Sequence, residues 1–187
     1  MPYEILHFRD SDKILKSKKM TKEVKETLDY LHDGLYERFY KGSLLKSCLE
    51  EMGWRDEEPL AILEGRRYAY KGLRKRIAIE ANLINYEGIL DGLFRLQVGF
   101  DQGRIDVGLL FLNSRRSAKS PLGSSLELAK KEVENLYPTI SMPVAIVLFD
   151  LGIPQCLDPD ESAKEKEEAH PNPQPETRNP VKEEEAA

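Results

Sequence analysis

RIAIEANLINYEGILDGLFRLQVGFDQGRIDVGLLFL, residues 76–112, changes its hydrophobic period twice within 37 positions. The first part, KRIAIEANL, reads as a strand buried on both faces. NYEGILDGLFRLQVGFDQG then places Ile89, Leu93, Leu96 and Phe100 three and four apart, which is one face of a helix. RIDVGLLFL returns to a continuous apolar run, long enough for the interior of a sheet. One residue breaks the pattern. Glu80 puts a carboxylate inside the first strand, where an unpaired charge is costly. It is tolerated there if Arg or backbone donors satisfy it, or if a bound cation offsets its charge.

Outward from this segment the order is helices, strand, helix, strand, helix, strand. Upstream, Val24, Leu28, Leu31, Leu35 and Phe39 form an apolar stripe on a helix expected from Thr21, its N-cap, to about Tyr40. SLLKSCLEEMGW predicts a second helix, capped by Ser43 and stopped by Gly53. Trp54 is expected at the edge of the core. Downstream, the polar loop NSRRSAKSPLGSS leads to the helix SLELAKKEVENLY, with Ser124 and Ser125 at its start as capping residues, and then to a last buried strand, MPVAIVLFDLGI. Two successive strand–helix–strand crossovers predict an α/β sandwich with a mixed, at least partly parallel, central sheet flanked by helices.

The chain has 187 residues and 40% apolar content, enough for one domain with a true core. Its formal charge of −5 is unevenly distributed. From Gln155 onward the chain carries ten acidic and four basic residues with five prolines, the composition of a disordered acidic tail. Removing that share from totals of 33 and 28 leaves 23 acidic and 24 basic residues in 1–154, the expected folded domain. Charge in the N-terminal stretch, where a signal peptide needs an apolar centre, and the absence of a long apolar run predict a soluble, cytoplasmic protein. Cys48 and Cys156, and His7, His32 and His170, are too scattered to indicate a disulfide framework or a His-based metal site. No GxxxxGK[ST], GxGxxG after a strand, or GxSxG occurs, so phosphate-loop, dinucleotide-binding and serine-hydrolase chemistry lack their signatures.

One basic cluster stands out. GRRYAYKGLRKR carries Arg66, Arg67, Lys71, Arg74, Lys75 and Arg76, interleaved with Tyr68 and Tyr70. Clustered Lys and Arg favour nucleic-acid phosphates through counterion release, and a solvated hairpin end is the plain alternative. Arg95 is expected to pair with Asp91 one helical turn earlier. Asp106, at a strand start, is expected to bond nearby backbone.

The succession IAIEANL, LFRLQVGF and DQGRIDVGLLFL resembles the core of type II restriction endonucleases of the BamHI and BglII group, in the PD-(D/E)XK nuclease superfamily. CLEEMGW resembles the helix ahead of that core, and MPVAIVLFDLG its closing strand, so the resemblance covers most of residues 40–153. It implies a restriction-endonuclease-like fold, a homodimer acting on double-stranded DNA, and phosphodiester hydrolysis with Mg²⁺, or Mn²⁺ in its place. Glu80 falls on the metal-binding Glu of that pattern and Asn82 on the polar residue two positions on, which shares its face of the strand. Two departures accompany the match. The acid expected nine to twelve residues before Glu80 is missing from RRYAYKGLRK, and Asn82 stands where Lys, Glu or Gln is usual. Glu64 and Glu50 are the favoured second carboxylates, with Glu51 and Glu87 behind them. The alternatives are a decayed nuclease fold that binds DNA or a protein without cutting, and a structural α/β protein whose basic strip meets an acidic partner.

Overall fold

The computed structural model describes residues 2–39, 42–56, 59–63, 65–66, 68–84, 86–115 and 124–153. The tail expected from Gln155 lies outside them. Chain order is β1 (Tyr3–Phe8), α1 (Ser11–Ser17), α2 (Thr21–Leu35), α3 (Gly42–Glu51), β2 (Gly72–Arg74), β3 (Ile77–Asn82), a 3₁₀ turn (Tyr86–Gly88), α4 (Ile89–Asp101), β4 (Val107–Asn113), α5 (Ser125–Asn135) and β5 (Val144–Phe149). The strands form one sheet in the order β1-β5-β4-β3-β2. The three central strands run parallel, as the two crossovers predict, and both outer strands run antiparallel to their neighbours.

Because strand side chains alternate, the sheet sorts its residues into two apolar layers. Ile77, Ile79, Leu109, Phe111, Ala145 and Val147 pack against α1, α2 and α3. Ala78, Leu110, Leu112, Val144, Ile146 and Leu148 pack against α4 and α5. Glu80 and Asn82 continue the row of Ala78 and so face the α4 layer. That helix approaches closely. A Cβ on Gly92 would come within 2.4 Å of a methyl of Leu110, which is the residue of β4 paired with Glu80. Gln97 of α4 holds the entry to β5, its Oε1 accepting from the amides of Ser141 (2.9 Å) and Met142 (3.0 Å).

Several local expectations hold. Gly53, at φ 71°, follows the end of α3, where the amide of Trp54 donates to the carbonyl of Leu49 at 2.8 Å. Ser124 forms a full capping box with Glu127 at the start of α5. Arg95 pairs with Asp91 at 3.0 Å.

Others are corrected. The N-terminal stretch is an edge strand, β1. Met20, not Thr21, is the N-cap of α2, and that helix ends at Leu35 because Tyr36 turns to extended backbone, leaving Phe39 47% exposed. Trp54 is wholly buried, its Nε1 donating to Thr27 Oγ1 at 2.8 Å. Position 72 has no room for a side chain, since a Cβ on Gly72 would lie 2.9 Å from that of Trp54.

Candidate functional site

Glu80 sits in the fourth position of β3, 3% exposed, with Oε1 buried and without a hydrogen-bond partner. Burial raises its carboxyl to about 7, against the opposing positive charges of Arg95 and then Lys71; the carboxylate of Asp91 adds to the rise. Asp91 and Arg95 come from the outer edge of α4 and hold each other in an ion pair. The guanidinium of Arg95 also lies over the ring of Tyr68, 5.9 Å from its centroid. Lys71 enters from the hairpin, its amide donating to the carbonyl of Ile79 at 2.9 Å, immediately before Glu80.

Tyr70 supplies a second orphan. It is 1% exposed, its hydroxyl has no partner, and burial holds that hydroxyl up at about 12. A Cβ on Gly99 would fall 1.7 Å from that oxygen, so glycine is what allows the ring to lie against α4. Of the two tyrosines in the basic segment, Tyr70 therefore belongs to the core and Tyr68, 52% exposed, to the surface.

Asn82 closes the turn that follows its own strand. Its Oδ1 accepts from the amide of Ile84 at 3.3 Å, and its amide nitrogen would be 2.0 Å from a Cβ on Gly88. Glu50 lies on α3, in the opposite layer, paired with Arg55 at 3.2 Å and Lys46 at 3.5 Å. Glu64 and Arg67 fall outside the described residues. A divalent cation of the Mg²⁺ type needs several oxygen ligands. Glu80 offers one free buried oxygen, Asn82 is engaged by its turn, and Asp91 is held by Arg95. Among the described residues no group of three His, Cys, Asp or Glu side chains gathers to hold a metal ion. That donor set does not fit a divalent cation, and two positive side chains already act on Glu80.

The basic cluster divides. Arg66 is exposed on the turn after Leu63. Lys75 and Arg76 are the two central residues of the β2–β3 hairpin, both with positive φ (49° and 63°), a conformation that L residues adopt at a cost. Their side chains are engaged there. Lys75 reaches Glu23 at 3.8 Å, and Arg74 reaches the same carboxylate at 3.1 Å. Arg76 grips Asp106 with two nitrogens, at 3.0 and 2.7 Å, while Lys18 binds that carboxylate from α1's side at 2.6 Å. Asp106 thus bonds side chains rather than the nearby backbone expected for its carboxylate. These cations drive it down to about 2.

Residues that the sequence did not mark as a site meet at the carboxyl ends of the parallel strands. Arg38 and Phe39 after α2, Leu83 and Ile84 after β3, Asn113 and Arg115 at the end of β4, and Leu151 and Gly152 after β5 line a cleft of about 300 Å³. Asn113 braces it, donating to the carbonyl of Leu83 at 3.2 Å and accepting from the amide of Arg115 at 2.9 Å. No linear motif announces this site, because its residues come from four separate segments.

A mixed five-stranded sheet with a parallel centre and helical layers on both faces makes the chain an α/β sandwich. Among solved structures, the chain is similar to the restriction endonuclease BglII complexed with a DNA 16-mer, with a TM-score of 0.57 and 17% identity over 80% of this chain and 76% of that one. It is likewise similar to free BglII, with a TM-score of 0.51 and 17% identity over 84% and 82%. The fold is BglII-like. No protein-family model and no curated protein matches the sequence.

Proposed function

We propose that this chain binds double-stranded DNA as a nuclease-fold protein whose Glu80 site does not run metal-dependent cleavage. The observation that carries the reading is the electrostatic surroundings of Glu80: one buried acid, two opposing cations, and a single neighbouring carboxylate already paired. Among the described residues such a site lacks the anionic oxygens that draw a divalent ion to a phosphodiester. DNA as partner is supported by the BglII structure it resembles, which is a DNA complex. The test is binding of labelled duplexes across a salt series, with cleavage followed in Mg²⁺ and in Mn²⁺. The reading expects salt-sensitive binding, intact DNA, and no change in either when Glu80 becomes Gln. Metal-dependent cutting that disappears in Glu80→Gln would sink it.

A second reading, a Mg²⁺-dependent endonuclease of the restriction–modification type, is favoured by one specific observation: the unbonded Oε1 of Glu80, at the position that the resemblance gives to a metal ligand. Its second carboxylate has to come from beyond the described residues, with Glu64 the sequence candidate. The same cleavage assay decides between the two.

A homodimer accompanies either reading. Leu90, Phe94 and Val98 follow one another at helical spacing along the outer face of α4, exposed by 45, 44 and 36%. An apolar stripe of this kind suits a self-complementary interface around a two-fold axis. Sedimentation of the protein should give a dimer that Phe94→Glu converts to monomer.

A further inference from the structure

We propose that the cleft at the carboxyl ends of β3, β4 and β5 receives the phosphate–sugar backbone of DNA, with Arg38 and Arg115 as its phosphate contacts. The inference rests on the DNA-binding reading above and gives it a location away from the basic cluster.

The argument starts from which cations are available. Arg74, Lys75 and Arg76 are held by Glu23 and Asp106 around a strained hairpin, so much of the cluster that looks nucleic-acid-like in the sequence is engaged in holding the fold. Arg38 and Arg115 are exposed, and neither guanidinium has a hydrogen-bond or ion-pair partner among the described residues. They nevertheless line one cleft. Two like charges on one cavity wall repel each other unless an anion joins them, and a planar guanidinium is shaped to bind a phosphate through two hydrogen bonds.

The place is also apt. The segments that leave β3, β4 and β5 at their carboxyl ends meet here around an open cleft of about 300 Å³, large enough for a bound group. The backbone on which Arg115 rides is fixed: Asn113 holds its amide, and its carbonyl accepts from the amide of Tyr86 at 3.0 Å. Phe39 and Ile84, exposed by 47 and 65%, supply apolar surface beside the two cations, matching the carbon face of deoxyribose next to its phosphates. β3 runs straight into this cleft, so a strand of DNA lying in it passes the end of the strand that carries Glu80 and Asn82.

The test uses the full chain and a fluorescein-labelled 20-base-pair duplex, with anisotropy measured from 50 to 300 mM salt. Arg38→Gln with Arg115→Gln should weaken binding by on the order of tenfold for each guanidinium removed. The dependence of log affinity on log salt should become shallower by about two. Lys130→Gln with Lys131→Gln, exposed on α5, is the charge-matched control and should leave affinity closer to that of the wild type. Neither Arg side chain has a hydrogen-bond or ion-pair partner among the described residues, so circular dichroism and melting temperature should match wild type. A double Arg variant that binds duplex with unchanged affinity and salt slope overturns the cleft assignment while sparing the DNA reading. Wild-type protein that binds no duplex overturns the DNA reading itself. Loss of self-association in the double variant, without change in DNA affinity, assigns the cleft to a second copy and overturns the proposal.

Discussion

Glu80 lies inside β3 and Asp106 one residue ahead of the adjoining β4, yet the molecule treats these two carboxylates in opposite ways. Asp106 is held by Arg76 and Lys18 through bonds of 2.6 to 3.0 Å and stays ionised down to about 2. Glu80 has no hydrogen bond to one of its oxygens and is pushed up to about 7 by burial. Asp106 is an ordinary structural acid: it locks α1, the hairpin turn and the start of β4 into one junction. Glu80 leaves its buried Oε1 without a hydrogen bond and costs free energy whenever it is charged. A sheet otherwise built from Ile, Val, Leu and Phe could house an apolar residue there at less cost.

The largest expected effect separates the two acids by pH. The folded-state pKa of Glu80 lies above the usual 4.5, so the folded protein holds the extra proton between about 4.5 and 7, and stability falls as pH rises through that window. Above it the penalty is complete and amounts to about 3 kcal/mol, taking 1.36 kcal/mol for each pKa unit. Glu80→Gln should match wild type at pH 4.5 and exceed it by up to about 3 kcal/mol at pH 8 in urea unfolding. His7 titrates equally in both proteins and cancels from the difference. Parallel stability curves for the two proteins from pH 5 to 8 would remove the special status of Glu80.

Asp106→Asn tests the other side and runs the other way. A depressed pKa contributes stability that is present above about 3.8 and lost as pH falls through about 2. The side chain is about one-third exposed, so solvent screening limits the loss at pH 7 to about 1 kcal/mol. Wild type and variant should converge near pH 2. A variant as stable as wild type at pH 7 would mean that the hairpin turn is held by its other contacts alone.

The contrast also explains what could be read from the sequence. β3, α4, β4, α5 and β5 were legible because each keeps one hydrophobic period for six or more residues. β1 was not, since it is an edge strand with five of its six residues away from full burial, and β2 has only three residues to carry a pattern. Trp54 looked peripheral because nothing local reveals that Gly72, eighteen residues on, leaves space for it. Glu80 was conspicuous as a charge in an apolar run. Its surroundings were only partly so: Arg95 with Asp91 follows from i, i+4 spacing, whereas the approach of Lys71 depends on the hairpin. The misleading feature was the basic cluster. Linear density of Lys and Arg says nothing about Glu23 or Asp106, which reach it from 51 residues before Arg74 and 30 after Arg76. Arg38 and Arg115, 77 positions apart, converge only once strand ends are assembled.

The smallest effect is the sharpest probe of the surroundings of Glu80. Arg95 and Lys71 lower its pKa and Asp91 raises it, so single neutral substitutions should move the titration in opposite directions. Arg95→Gln removes the larger of the two opposing positive charges and should shift the midpoint upward. Asp91→Asn removes a repelling anion and should shift it downward, although releasing Arg95 from its 3.0 Å pair lets the guanidinium swing and changes how strongly it acts. The double substitution resolves that ambiguity, because with both charges gone only Lys71 still opposes burial. Carbon-13 NMR of the Glu80 carboxyl gives all three midpoints directly. If the midpoint is the same in Arg95→Gln and wild type, Arg95 is not part of the electrostatics of Glu80. The case against a divalent ion there would then rest on the lack of a second free acid among the described residues alone.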